Sequence, residues 1–164
     1  MLDILTGKYA PSGKLSETIP VKYEDTPSCR FFLSEGLDAE YRESIYVGYR
    51  YYDKAKMPVR YPFGYGLSYT TFKWEIEDAS AIEDKEITAD GSYEVKVKVT
   101  NTGNVAGKDV VELYCNTPYY EGEIEKAHKV LCGYEKTPEL QPGESCTVTL
   151  TFTPYDVASY DFND

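Results

Sequence analysis

The sequence predicts an all-β fold, a sandwich of two sheets preceded by a long and mostly irregular N-terminal segment. After residue 70, short runs of residues alternate between apolar and polar side chains, and turn-forming residues separate them. Before residue 70 the chain is rich in Pro and Tyr and has no long periodic run, so it is expected to be mostly extended or irregular. The 164 residues fit one domain of about 100 residues plus an appendage.

Five short segments have the pattern of β-strands. The clearest is 93–100, where Tyr and Val on one face alternate with Glu, Lys and Thr on the other. A second alternating run, 146–153, carries Thr along its polar face. Three shorter candidates lie at 72–77, 110–115 and 129–134. Short strands at regular spacing indicate a sandwich.

Turns and apolar positions define the expected core. Residues 101–104 (NTGN) follow one strand and residues 141–144 (QPGE) precede another, and Gly and Asn allow the positive φ that tight turns require. Trp74 alternates with charged neighbours, so we expect it to pack in the core rather than to stack on a sugar.

The four cysteines form no CxxC pair, so the spacing leaves three disulfide pairings open. Cys115, Cys132 and Cys146 fall on inward positions of predicted strands, where a free thiol behaves as a small apolar side chain. Reduced, buried cysteines are therefore favoured over a disulfide.

The charge of the chain excludes some partners. A formal net charge of −11 opposes binding to a phosphate backbone, so no nucleic-acid partner is expected. No run approaches the ~20 apolar residues of a membrane span, and the first ten residues lack the features of a signal peptide. We expect no membrane partner, and a cytoplasmic location is favoured.

Characteristic motifs cover nearly the whole chain. They are PSGKLSETIP (11–20), YVGYRYYD (46–53), YPFGYGLSYTTF (61–72), VTNTG (99–103), VVELY (110–114), LCGY (131–134) and LQPGES (140–145). Together they resemble the C-terminal part of family 3 glycoside hydrolases, of the β-glucosidase type. Ser44 stands where that family more often has Gly, which affects the local backbone only.

The resemblance implies a domain division and a set of partners. Residues 1–70 are expected to be the tail of an α/β sandwich domain and an extended Tyr-rich linker. Residues 71–164 are expected to form an immunoglobulin-like, fibronectin type III-like domain whose last strands lie after Asp164. The expected partners are the catalytic barrel and the α/β sandwich domain of the parent enzyme, and an exposed sheet edge favours self-association.

The same resemblance predicts an inactive chain. Family members are retaining enzymes that use two carboxylates, one on the barrel and one on the α/β sandwich domain upstream of this segment. We therefore expect a non-catalytic structural domain, with no cofactor, in an enzyme that hydrolyses terminal β-linked sugars. A carbohydrate-binding or interaction module is the alternative, and an adhesion module is a third hypothesis that rests on the fold alone.

Two groups of residues are candidate interaction sites. The aromatic residues of the N-terminal segment, with one arginine, are candidates for interdomain packing, because rings are costly to leave in water: Tyr46, Tyr49, Arg50, Tyr51, Tyr52, Tyr61, Phe63 and Tyr65. Tyr119 and Tyr120, in a predicted loop, are candidates for contact with a sugar ring.

Other polar residues are expected to have no catalytic or metal-binding role. A loop with Glu121, Glu123 and Glu125 is interpreted as a solvated acidic loop, and the single histidine, His128, as a strand-edge residue. The end of the chain, Asp161 to Asp164, has fewer oxygen ligands than the six to eight that calcium takes, so no metal site is predicted.

Overall fold

The computed structural model describes residues 2–32, 41–83 and 86–161, which divide into two compact units. The first unit takes the described parts of Met1–Lys14, Gly66–Cys115 and Leu131–Tyr160. The second takes the described parts of Leu15–Tyr65, Asn116–Val130 and Asp161–Asp164. Asn163 and Asp164, at the end of the chain where the sequence predicts no metal site, lie outside the described residues.

Strands dominate the described elements. In chain order these are α1 (Leu2–Leu5), β1 (Ile19–Pro20), a 3₁₀ turn (Tyr23–Asp25), α2 (Tyr49–Ala55), β2 (Val59–Tyr61), β3 (Phe72–Asp78), β4 (Tyr93–Asn101), β5 (Val110–Cys115), β6 (Val130–Lys136), β7 (Ser145–Phe152) and a 3₁₀ turn (Pro154–Val157). The five strands predicted after residue 70 are β3 to β7, which confirms the all-β fold.

The first unit contains two sheets around one core. β4 lies between β3 and β7 in an antiparallel sheet, where Val97 is opposite both Ile76 and Val148. β5 and β6 form a two-stranded sheet. The core cluster contains residues of β4, β5 and β7 together with one loop residue: Val95, Val97, Val99, Val111, Val148, Leu150 and Leu140.

The prediction that Trp74 packs in the core was wrong. Trp74 is opposite Val99 in the register, so it points to the core face, yet 49% of it is exposed. Ile76, opposite Val97, is 72% exposed. The alternation of apolar and charged residues identified the core-facing side of β3. It could not show that β3 is an edge strand, whose core-facing side chains are left largely exposed.

The second unit consists mostly of turns around short elements. β1 and β2 form an antiparallel pair, with Ile19 opposite Tyr61. Leu15 extends this pairing, since its N–H donates to Tyr65 O at 2.8 Å. Helix α2 was not anticipated, because seven residues are too few for a helical period to stand out. Gly48, with φ 61°, makes the sharp turn that starts it.

Candidate functional site

Six of the seven aromatic candidates for interdomain packing form ring pairs within the second unit. The ring centroids of Tyr49 and Phe63 are 4.9 Å apart, and those of Tyr61 and Tyr65 are 4.8 Å apart. Such spacings are typical of stabilising aromatic pairs. Tyr52, on α2, is the most enclosed of the set, with 5% of its surface exposed.

Helix α2 and the residues before it are tied to the loop 116–130. The Tyr46 hydroxyl donates to the Glu125 carboxylate at 2.7 Å, and Lys129 Nζ lies 3.0 Å from Asp53 Oδ2. The pKa of the Tyr46 hydroxyl is raised to about 12, mainly by burial and to a lesser extent by the hydrogen bond to Glu125. The hydroxyl therefore stays protonated at physiological pH and can donate this bond.

The acidic loop is solvent-exposed, as expected. Glu121, Glu123 and Glu125 are all exposed. Glu125 nevertheless accepts the Tyr46 hydrogen bond, and Glu123 lies 3.9 Å from Lys126 Nζ. The loop therefore makes contacts inside the second unit and also presents a solvent-exposed face.

The two loop tyrosines proposed for sugar contact are open to solvent. Tyr119 is 50% exposed and Tyr120 is 61% exposed. Lys54 Nζ lies 5.9 Å from the centroid of the Tyr119 ring, at the limit of a cation–π contact. A flat ring beside a cation and facing solvent could stack on a sugar, but this use remains a proposal.

A shallow cleft lies in the second unit. Its volume is about 300 Å³. The walls are made by Glu17 to Pro20, Thr26 to Ser28, and residues of the stretch from Glu43 to Tyr52. The cleft thus combines apolar side chains with hydroxyl groups and two carboxylates.

Asp109 organises a polar contact in the first unit that the sequence analysis missed. Lys14 Nζ lies 2.9 Å from Asp109 Oδ1, and Trp74 Nε1 donates to Asp109 Oδ2 at 3.0 Å. The Asp109 N–H donates to Thr137 Oγ1 at 2.9 Å. A lone Asp before a strand carries no sequence signal for such a contact, since all three partners are distant in the sequence.

All four cysteines are free in the structure and partly buried. The Cys132 thiol donates to Leu113 O at 3.3 Å. Burial raises the pKa of the Cys132 thiol to about 11, so little thiolate is present at neutral pH. Its environment is that of a structural thiol rather than of a nucleophile.

The described residues contain neither a metal-binding cluster nor a membrane-spanning helix. In that part of the chain, no three His, Cys, Asp or Glu side chains are grouped so that they could hold a metal ion. None of its helices combines the length and the apolar character needed to cross a bilayer. His128 is exposed and precedes β6 by two residues.

Comparison with known families identifies the chain. Residues 1–69 match the glycosyl hydrolase family 3 C-terminal domain, and residues 109–164 match the fibronectin type III-like domain. The chain belongs to glycosyl hydrolase family 3. It corresponds to the C-terminal part of family 3 enzymes, and the β-sandwich is of the fibronectin type III-like kind.

Relatives in family 3 include several β-glucosidases. The chain is 47% identical to beta-glucosidase A of Butyrivibrio fibrisolvens and 45% identical to a beta-glucosidase of Ruminococcus albus, with 96% of the chain aligned in each case. A solved beta-glucosidase structure from Paenibacillus barengoltzii matches 97% of the chain with a TM-score of 0.88 at 43% identity. The chain spans 20%, 16% and 17% of these three proteins, respectively.

Proposed function

We propose that this chain is a non-catalytic structural part of a retaining β-glucosidase-type enzyme that hydrolyses terminal β-linked sugars. One observation carries the proposal: 96% of the chain aligns with only 20% of a family 3 relative named as a beta-glucosidase. Retaining glycosidases need two carboxylates about 5 Å apart. By its resemblance to the family, the chain leaves both to other domains, namely the barrel and the α/β sandwich domain.

The proposed partners are those two catalytic domains. Residues 1–70 would pack across them as the tail of the α/β sandwich domain and a linker, and residues 71–164 would form the fibronectin type III-like domain. Exposed rings support such packing: Tyr41 is 92% exposed, Phe32 is 65% exposed and Tyr23 is 60% exposed. Large exposed apolar surfaces mark interaction sites.

The aromatic candidates differ in how well they suit interdomain packing. Tyr61 and Tyr65 are 41% and 37% exposed, so their paired rings can contact another domain. Tyr52 is buried and Tyr46 is hydrogen-bonded to Glu125, so these two side chains already make contacts within the second unit. Tyr49, Arg50, Tyr51 and Phe63 are partly buried.

An activity assay tests the proposal directly. The purified chain should release no nitrophenol from p-nitrophenyl β-glucoside, whereas a complete family 3 β-glucosidase assayed in parallel should. Activity that co-purifies with the chain through orthogonal chromatography steps would contradict the proposal.

The exposure of Tyr119 and Tyr120 supports a second proposed function, binding to a carbohydrate. If these rings stack on sugars, the chain should be retained on insoluble β-glucan, and a double change of Tyr119→Ala and Tyr120→Ala should abolish retention. Tyr155→Ala is the matched control, because Tyr155 is 88% exposed in the first unit. Equal retention of the double variant and the control would rule out this role. Self-association through a sheet edge also stays a prediction.

A further inference from the structure

The cleft of the second unit has the size of a site for a small ligand. Its volume of about 300 Å³ lies at the lower end of the range of ligand pockets, which suits a molecule with a single ring. Gly48 lines the cleft just before α2, and a Cβ added there would meet nothing within 4 Å. The backbone at this point therefore borders open space.

Apolar side chains form one part of the cleft wall. Ile19, Pro20, Pro27 and Val47 line the cleft, and Ile19 and Val47 are 36% and 62% exposed. Tyr52, which is 5% exposed, lines the cleft from α2. A mostly apolar wall with a few polar groups is typical of small-molecule sites, because the apolar part packs on the ligand and the polar groups orient it.

Hydroxyl groups supply hydrogen-bond donors to the same wall. Thr18 lines the cleft and is 8% exposed, and its Oγ1 accepts from the Phe63 N–H at 3.3 Å. A hydroxyl also has a proton to donate, and among the described residues no acceptor takes the proton of Thr18. Thr26 and Ser28, elsewhere in the wall, add two more hydroxyl groups. The cleft can therefore donate hydrogen bonds to a ligand.

Two carboxylates supply acceptors. Glu17 and Glu43 line the cleft, and in the described part of the chain neither side chain makes an ion pair or a hydrogen bond. The described residues of the wall include no Lys, Arg or His. Carboxylates accept strong hydrogen bonds from hydroxyl groups. An anionic ligand, in contrast, would meet negative charges with no cation in the wall to compensate them.

We propose that this cleft binds a neutral monosaccharide in its pyranose form. The hydroxyl groups of the sugar donate to Glu17 and Glu43 and accept from Thr18, while the C–H groups of the ring pack on the apolar wall. Sugar phosphates and uronic acids have a similar ring but carry a negative charge, so the two carboxylates exclude them. The site goes beyond the proposed structural function, and it is separate from Tyr119 and Tyr120, which lie outside the cleft wall.

An NMR titration of the isotope-labelled 164-residue chain with D-glucose tests the site. We expect saturable shift changes at the amides of Thr18, Ile19 and Gly48, with a dissociation constant of about 1 mM or tighter. Glucose 6-phosphate and glucuronate should cause no saturable change at the concentrations at which glucose does. Butylamine serves as the probe for a small organic cation, the other ligand that two carboxylates attract.

Glutamate variants connect the binding to the cleft. Glu17→Ala and Glu43→Ala should each weaken glucose binding by about fivefold or more, because each removes a charged acceptor. Glu24→Ala is the matched control, because Glu24 is exposed and belongs to the same unit but lies outside the cleft wall. Binding by this variant should be unchanged. Amide spectra check that all three variants fold.

Several results would overturn the inference. These are shifts that do not saturate by about 50 mM glucose, equal binding of glucose 6-phosphate, or cleft variants that bind glucose as well as Glu24→Ala does. Shift changes at Tyr119 and Tyr120 in place of the cleft amides would assign the sugar to the loop tyrosines. Tighter binding of butylamine than of glucose would make the ligand a cation. The release of nitrophenol is measured separately, so failure of the sugar site leaves the proposed function standing, and the reverse also holds.

Discussion

At the scale of single residues, Asn101 is a buried polar group of the sandwich whose side chain makes four hydrogen bonds. It is 0% exposed. Its Oδ1 accepts from Thr70 Oγ1 at 2.6 Å and from the Gly103 N–H at 3.1 Å, and its Nδ2 donates to Val105 O and Leu140 O, both at 2.8 Å. One side chain thus joins the end of β4 to the turn that follows it and to two distant segments.

Replacement of Asn101 should be costly. We expect Asn101→Ala to lower the free energy of unfolding by about 3 kcal/mol or more, because Val105 O, Leu140 O and the Gly103 N–H lose buried partners together. Asn104→Ala, at an exposed position of the same turn, should change it by less than about 0.5 kcal/mol. Urea unfolding followed by circular dichroism measures both, and equal effects would contradict this role.

The backbone at Ser44 has an unusual conformation. It adopts φ 52°, a left-handed conformation that glycine accommodates without strain. The resemblance to family 3 had identified this position as one where glycine is more usual. The comparison with the family drew attention to this position, and the left-handed φ angle came from the structure.

At the scale of elements, the contact of Lys14 with Asp109 fastens the N-terminal stretch to the start of β5. The two side chains are 23% and 11% exposed, so water screens their 2.9 Å contact only in part. The approach is close: a Cβ on Gly66 would lie 2.6 Å from Gly13 O. The stretch that ends at Lys14 is therefore held within the first unit by charge and by tight backbone packing.

Removing the lysine should test this fastening. We expect Lys14→Met to lower the free energy of unfolding by about 2 kcal/mol, since it leaves the Asp109 carboxylate shielded from water without its cation. Lys8→Met is the matched control, because Lys8 and Asp3 are 63% and 55% exposed and such surface pairs contribute about 0.5 kcal/mol. A chemical-denaturation series would show the difference, and indistinguishable midpoints would refute it.

At the scale of the whole molecule, the described residues form two units that each take separate stretches of the chain. The loop 116–130 belongs to the unit of the N-terminal segment, although it connects two strands of the sandwich. The hydrogen-bonded core of the sandwich and the exposed rings agree with the proposed structural role of the chain.

The sequence alone determined the family, the sandwich and the five strands after residue 70. The alternation of apolar and polar residues shows which face of a strand is apolar, and turn-forming residues show where a strand ends. Both signals lie within short stretches of sequence. Family motifs add the expected partners and the location of the chemistry. These inferences need no knowledge of which segments meet in space.

The tertiary structure decided what covers each face. Trp74 and Ile76 alternate as core residues do, yet they are exposed because β3 is an edge strand without a strand opposite it in the described residues. The contacts of Asp109 with Lys14 and Trp74, and of Tyr46 with Glu125, join residues far apart in the sequence. The burial of a side chain and its polar partners depend on residues that folding brings together from distant parts of the chain. A local sequence pattern cannot identify those residues.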